Sequence, residues 1–75
     1  MSYTYLAVDQ RNNEPKAAFP RKHELARWVE RYDETAPDSD PYRAYHLEFS
    51  RIRSSVWEME SVVTKLTRED LGLKP

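Results

Sequence analysis

The feature that most constrains the fold of this chain is a run of apolar residues with alternating spacings of three and four. The spacings 3, 4, 3, 4, 3, 4, 3 connect Tyr42, Tyr45, Phe49, Ile52, Val56, Met59, Val63 and Leu66. Such a run is typical of one face of a long helix, and neither proline nor glycine interrupts it. Asp40 and Pro41 suit a helix start and Gly72 suits a helix end, so the spacing predicts a helix over residues 41–70.

A β-hairpin and a shorter helix are expected before this segment. The alternation of side chains near the N-terminus and the turn-forming residues that follow it predict a hairpin over residues 2–19. An isolated hairpin is barely stable in water, so we expect a helix to cover the face that carries Leu6, Val8 and one or two of Ala17 and Phe19. That helix is predicted over residues 21–34, with an acidic loop over 35–40. Its apolar stripe consists of Leu25, Trp28, Val29 and Tyr32.

The expected fold class is α+β, in one small domain. A chain of 75 residues is too short for two hydrophobic cores. The predicted order is a hairpin, a short helix and a long helix, ββαα. An alternative stays open, because Tyr45, Leu47 and Phe49 also alternate with polar residues as in a strand. That alternation fails at Ile52, and a strand there would give the order ββαβα.

The predicted helices differ in length, which suggests self-association. At 1.5 Å per residue the first spans about 21 Å and the second about 45 Å, so half of the long stripe lacks cover. We expect the remainder to pack on the hairpin, on another protein or in the seam of a homodimer. The residues of that seam are Val56, Met59, Val63 and Leu66.

A second row on the predicted long helix is a candidate surface for a protein partner. Small hydroxyl side chains flank Trp57 along this row, and tryptophan is enriched at the energetic centres of protein interfaces. The expected contact residues are Trp57, Leu47, Arg53, Glu58 and Glu60. An alternative interpretation places Trp57 in the core, because tryptophan is usually well buried.

The charge balance argues against a dedicated nucleic-acid binder. Twelve Lys and Arg residues oppose thirteen Asp and Glu residues, which gives a net charge of -1. The acids gather along one stretch, at Glu30, Asp33, Glu34, Asp38 and Asp40. They either imitate phosphates toward a nucleic-acid-binding enzyme or serve as helix caps and a solvated loop. The second interpretation is favoured.

No pattern in the sequence supports an enzyme, a metal site or a cofactor. One glycine cannot form the glycine-rich loops that bind nucleotide phosphates, and no cysteine is present. His23 and His46 lack a third residue at catalytic or metal-ligand spacing. Without cysteines, a signal peptide or a membrane span, we expect a cytoplasmic protein.

Together these patterns predict a non-enzymatic protein–protein interaction module that binds and modulates a macromolecular partner. The alternative is a small nucleic-acid-binding regulator. In its size, its lack of cysteine and its high charge, the chain resembles phage and mobile-element accessory proteins in general. That resemblance implies an inhibitor of a host protein, and it is an analogy of style with no motif behind it.

Overall fold

A computed structural model describes residues 2–55 and 60–74 of the 75-residue chain. The strands are β1 (Ser2–Asp9), β2 (Glu14–Phe19), β3 (Leu47–Ser55) and β4 (Glu60–Leu66), and the helix is α1 (Lys22–Glu34). Two 3₁₀ turns lie at Arg43–His46 and Glu69–Leu71. Neighbouring strands are antiparallel in the order β2-β1-β3-β4, so β2 and β4 are the edges of the sheet.

The β1–β2 hairpin turns at two asparagines. Asn13 has a φ of 58°, in the left-handed region that asparagine tolerates better than most residues. The side-chain oxygen of Asn12 accepts a hydrogen bond from the backbone N–H of Glu14 at 3.0 Å. The register of the hairpin shifts between Ala7 and Val8, as in a β-bulge. Turn chemistry thus closes the hairpin, and the bulge makes the β2 edge irregular.

Helix α1 packs one apolar stripe against the sheet. Leu25 and Val29 have no exposed surface, and the rings of Trp28 and Tyr32 stack with their centroids 4.8 Å apart. Arg43 holds the end of the helix: its guanidinium lies 4.1 Å above the Tyr32 ring, and its Nε donates to the Tyr32 carbonyl at 2.9 Å. This contact ties the first 3₁₀ turn to the helix.

The helix covers the sheet face that carries Ala7 and Phe49. The register places Ala7 between Ala17 and Phe49, and this small side chain is fully buried. The expectation that the helix covers Leu6 and Val8 is wrong, because the helix packs where alanine lets the two layers approach closely. The buried core consists of Ala7, Leu25, Val29, Ala44, Leu47, Phe49, Leu71 and Leu73.

The predicted helix over residues 41–70 is wrong, and so is the ββαα fold class. The chain forms a small four-stranded antiparallel sheet with one helix and two 3₁₀ turns in its described residues, and β3 and β4 occupy the segment in question. The alternative order ββαβα is also wrong, because it ends with a helix where the chain forms the strand β4. The apolar positions do not share a face, since Phe49 is buried while Tyr42 is 67% exposed and Val63 is 61% exposed.

The physical reason is that the core reaches only part of the way along β3. Leu47 and Phe49 are buried, whereas Arg51 and Arg53, the next positions on the same side, are partly exposed. Beyond Phe49 the apolar side chain, Ile52, lies on the opposite face. This change of face breaks the two-residue alternation and leaves spacings that imitate a helix. The Val-Val-Thr run of β4 is β-branched and favours a strand.

A buried carboxylate joins the hairpin turn to the segment before β3. Asp9 is 2% exposed, and its Oδ1 accepts hydrogen bonds from the backbone N–H and the Nε of Arg11, at 2.9 and 3.1 Å. Nη2 of Arg11 donates to Asp9 Oδ2 at 2.9 Å, and Nη1 donates to Asp40 Oδ2 at 2.6 Å. The hydrogen bonds from Arg11 lower the pKa of Asp9 from 3.8 to about 2.

This lowered pKa predicts a loss of stability in acid. A carboxyl group with a lower pKa in the folded state stabilises the fold above its unfolded pKa, and the contribution disappears as the pH falls through the folded pKa. For Asp9 that window runs from pH 3.8 down to about pH 2. We expect the melting temperature, followed by circular dichroism, to fall across this window, and Asp9→Asn to weaken the dependence while lowering the neutral-pH value. Asp38→Asn, in the exposed loop, is the control. Equal pH dependence in the native chain and Asp9→Asn would contradict the prediction.

Candidate functional site

The sheet has a second face, opposite to α1, that is not part of the core. The register aligns Leu6 with Ala18 and Ser50, and it aligns Ile52 with Thr4 and Val63. Side chains at aligned positions of neighbouring strands share a face. We call this surface the open face; it carries Thr4, Leu6, Val8, Ala18, Ser50, Ile52 and Val63.

The open face is apolar at its centre. Leu6, Val8 and Ile52 are half-buried by their neighbours, yet none of them belongs to the core or to the side chains packed against it. At one end Lys65 Nζ lies 3.1 Å from Glu48 Oε1, and hydrogen bonding to this lysine lowers the pKa of Glu48. The face therefore combines an apolar centre with a balanced ion pair at one margin.

The outer edge of β4 continues this surface. Val63, on the open face, is 61% exposed, and Val62, on the helix side of the same edge, is 52% exposed. The β3–β4 register runs without a shift from Phe49 to Ser55. The other edge, β2, contains Pro15 and Lys16 and lies beside a bulge. Proline, lysine and bulges are the features by which proteins protect sheet edges from further strand pairing. The middle of β4, from Ser61 to Thr64, has neither proline nor charge.

The helix side of the sheet has a separate basic surface beyond the core. Arg51 and Arg53 lie there on β3, and the Arg51 guanidinium is 5.2 Å from the centre of the Tyr3 ring. Tyr3 is 37% exposed. These residues are aligned with the helix-side positions of β4 and face away from the open face. Beyond the core, the helix side of the sheet thus carries two arginines and an aromatic ring, whereas the centre of the open face is aliphatic.

The predicted acidic patch does not form one surface. Glu30, Asp33 and Glu34 line a depression of about 380 Å³, but Arg68 and Lys74 line the same depression and offset two of the three negative charges. Oδ1 of Asp33 and Nη1 of Arg68 are buried there without hydrogen-bond partners. Asp40 lies elsewhere, bonded to Arg11, and Asp38 is exposed in the loop. The structure therefore separates the acids into different environments.

The predicted partner-binding residues fall in different places. Leu47 is 7% exposed in the core, which leaves little surface for a partner, and Arg53 lies on the helix side of β3. Glu60 is the first residue of β4, and only its backbone is described. Trp57 and Glu58 lie outside the described residues.

The four predicted self-association residues also separate. Val63 is exposed on β4, and Leu66 is half-buried against the core. Val56 and Met59 lie outside the described residues. The helical spacing places Ile52 in the apolar stripe and gives no sign that this residue lies on a sheet surface outside the core. The loss of alternation at Ile52 is the signal that marks the change of face.

The described residues form neither a metal-ligand cluster nor a helix that could span a membrane. In residues 2–55 and 60–74 no three His, Cys, Asp or Glu side chains come together as metal ligands. His46 Nε2 lies 3.7 Å from Asp40 Oδ1, beside the Arg11 network. Within the part of the chain that the structure describes, no helix has the length and apolar character that a membrane span requires.

Comparison with protein-family models, with curated proteins and with solved structures gives no significant match. Among the described residues, the fold leaves uncovered the open face, the β4 edge and, outside the sheet, the rings of Tyr42 and Tyr45.

Two substitutions distinguish the open face from the core. Val63→Thr should change the free energy of unfolding by no more than about 0.5 kcal/mol, because Val63 is an exposed surface residue. Leu25→Ala should lower it by about 2–5 kcal/mol, because it opens a cavity beneath α1. Urea unfolding at low protein concentration measures both. A cost for Val63→Thr close to that of Leu25→Ala would show that the open face is part of a core.

Proposed function

We propose that this protein is a non-enzymatic protein–protein interaction module that binds a partner protein on its open face. The observation that carries the proposal is the position of Leu6, Val8 and Ile52, which form an aliphatic surface outside the core. The occupant it fits is a protein surface with an apolar centre. Interfaces between proteins commonly have a desolvated apolar centre and a polar margin.

The backbone beneath this surface supports binding at low entropic cost. β1 is paired on both sides along most of its length, with β2 and with β3. Leu6 and Val8 project from this central strand, so their positions are fixed before a partner arrives. A preorganised surface loses less conformational freedom on binding than a loop does. This favours the open face over the exposed loop that contains Asp38.

The charges of the open face support a protein partner over a nucleic acid. Binding to nucleic acid draws most of its affinity from lysine and arginine contacts to phosphates. The cation at the margin of the open face, Lys65, is already 3.1 Å from the carboxylate of Glu48. The basic residues Arg51 and Arg53 lie on the other side of the sheet. Nucleic-acid binding is therefore the second candidate, on that opposite surface.

The general resemblance to phage and mobile-element accessory proteins implies that the partner is a host protein and that binding inhibits it. This stays a prediction from composition. The aliphatic centre of the open face supports this proposal, because an inhibitor needs a surface that binds its target. An inhibitor of this kind acts by occupying a surface of its target, which requires neither a catalytic group nor a cofactor.

Affinity capture with three forms of the purified protein tests the proposal. The forms are the native chain, the double variant Leu6→Ser with Ile52→Ser, and the control Tyr42→Ser. Tyr42 is a matched control because it is 67% exposed and lies outside the sheet. We expect the native chain and the control to retain the same partner, and the double variant to lose it while remaining folded by circular dichroism. Loss of the partner with Tyr42→Ser alone would contradict the open face as the binding surface.

Added salt and treatment with nuclease distinguish a protein partner from a nucleic-acid partner. We expect capture to survive nuclease and an increase from about 0.1 M to about 0.5 M salt, because an apolar interface depends little on ionic strength. Phosphate contacts would instead weaken by orders of magnitude over a change of this kind. Capture that nuclease removes, and that Arg51→Ser with Arg53→Ser abolishes, would establish the nucleic-acid alternative.

A further inference from the structure

The free edge of β4 carries a second inference, which goes beyond the proposed function and rests on the edge backbone of β4, with Val63 shared between this edge and the open face. We infer that β4 pairs with β4 of a second copy of this chain, antiparallel, with Val63 opposite Val63. The pairing joins two four-stranded sheets into one continuous eight-stranded sheet. Four observations support it: the direction of the backbone groups, the symmetry of the strand, the side chains that meet, and the contrast with the β2 edge.

The hydrogen-bond pattern of the sheet shows which backbone groups of β4 are free to pair. The N–H of Gln10 donates to the carbonyl of His46 at 2.8 Å, one position beyond the aligned pair Asp9 and Leu47. Bonded and non-bonded pairs alternate in an antiparallel ladder, so even-numbered residues of β3 bond to β1. Odd-numbered residues of β3 then bond to β4, where they are aligned with even-numbered residues.

It follows that the odd-numbered residues of β4 direct their N–H and C=O groups away from β3. These residues are Ser61, Val63 and Lys65, and all three are exposed. No strand is paired with this edge in the part of the chain that the structure describes. A second β4 would satisfy the groups in three aligned pairs, each exchanging two hydrogen bonds.

The symmetry of an antiparallel pair selects the register. A two-fold axis that pairs a strand with its own copy is perpendicular to the sheet and keeps each side chain on its own face. Val63 is the midpoint of the seven residues Glu60–Leu66. An axis beside Val63 therefore uses the whole strand, whereas an axis beside Val62 or Thr64 leaves one end unpaired.

The side chains that meet in this register are compatible. Val62 lies opposite Thr64 of the second copy, and Ser61 lies opposite Lys65 of the second copy, so no like charges are aligned. On the open face the row Thr4, Ile52, Val63 continues into the same row of the second copy. Helix α1 packs against β1 and β2, on the far side of the sheet from β4, and so does not obstruct the pairing.

The two edges of the sheet, β2 and β4, differ in how strongly they oppose the addition of another strand. The β2 edge has Pro15, Lys16 and a neighbouring bulge, which oppose the addition of a strand. The middle of β4 has two valines and two hydroxyl residues in regular register. β4 also carries a lysine, Lys65, but this residue lies near the end of the strand and opposite Ser61 of the second copy, and β4 has no proline and no bulge. Because the better-protected β2 edge does not accept a further strand, the pairing gives a closed dimer rather than an open fibre.

Sedimentation equilibrium with a charge exchange at Val63 tests the inference. The native chain should approach twice its monomer mass of 8.9 kDa as its concentration rises. Val63→Lys and Val63→Glu should each raise the dimer dissociation constant at least about tenfold, because like charges then lie opposite each other. A mixture of the two variants should restore the dimer, since lysine then lies opposite glutamate. Only a surface in which residue 63 meets itself predicts this rescue.

Controls use the opposite edge and single cysteines. Ala18→Lys, on the open face at β2, should leave the dimer unchanged. The native chain has no cysteine, so Val63→Cys should form a disulfide-linked dimer under mild oxidation and Ala18→Cys should not. A native chain that stays monomeric, a mixture without rescue, or cross-linking through Ala18→Cys alone would each overturn the inference. None of these results would affect the proposed partner surface, which is tested at Leu6 and Ile52.

Discussion

Packing of Leu25 and Val29 against the sheet is the contact on which the rest of the structure depends, because it decides which sheet surface is covered. Helix α1 has 13 residues and spans about 20 Å, whereas the nine residues of β3 span about 30 Å. One helix of this length covers one face and only part of it. The surfaces left over, the open face and the β4 edge, follow from that geometry and carry both proposals.

Polar contacts stabilise the covered end of the sheet in addition to hydrophobic packing. Asp9 and Arg11 belong to the hairpin, while Asp40 belongs to the loop that follows α1. A buried carboxylate is tolerated only with such partners, because an unpaired charge would be costly to remove from water. The network fixes the approach to β3, and Arg43 fixes the end of α1 beside it. These contacts position the segment between α1 and β3, from which β3 and β4 enter the sheet.

Local signals in the sequence locate the hairpin and α1, whereas the local signals for β3 and β4 are outweighed by a helical spacing, and tertiary contacts decide in favour of strands. The stripe through Leu25 and Val29 reflects burial on one side of a helix throughout its length. Along β3 the apolar side changes after Phe49, because cover ends there, and the resulting spacing resembles a heptad. Val63 is selected by that spacing for a helical seam and instead lies on a strand edge. The Arg11–Asp40 contact joins residues 29 apart and has no sequence signature.

Amide hydrogen exchange along β4 tests most directly the claim that the outer edge of this strand is free in the monomer and pairs with a second copy in the dimer. At low protein concentration the amides of Val62 and Thr64, directed toward β3, should exchange slowly, and those of Ser61 and Val63 should exchange fast. At high concentration all four should become slow, because the second strand protects the outward groups. Uniform protection at every concentration, or fast exchange of Ser61 and Val63 at every concentration, would contradict the account.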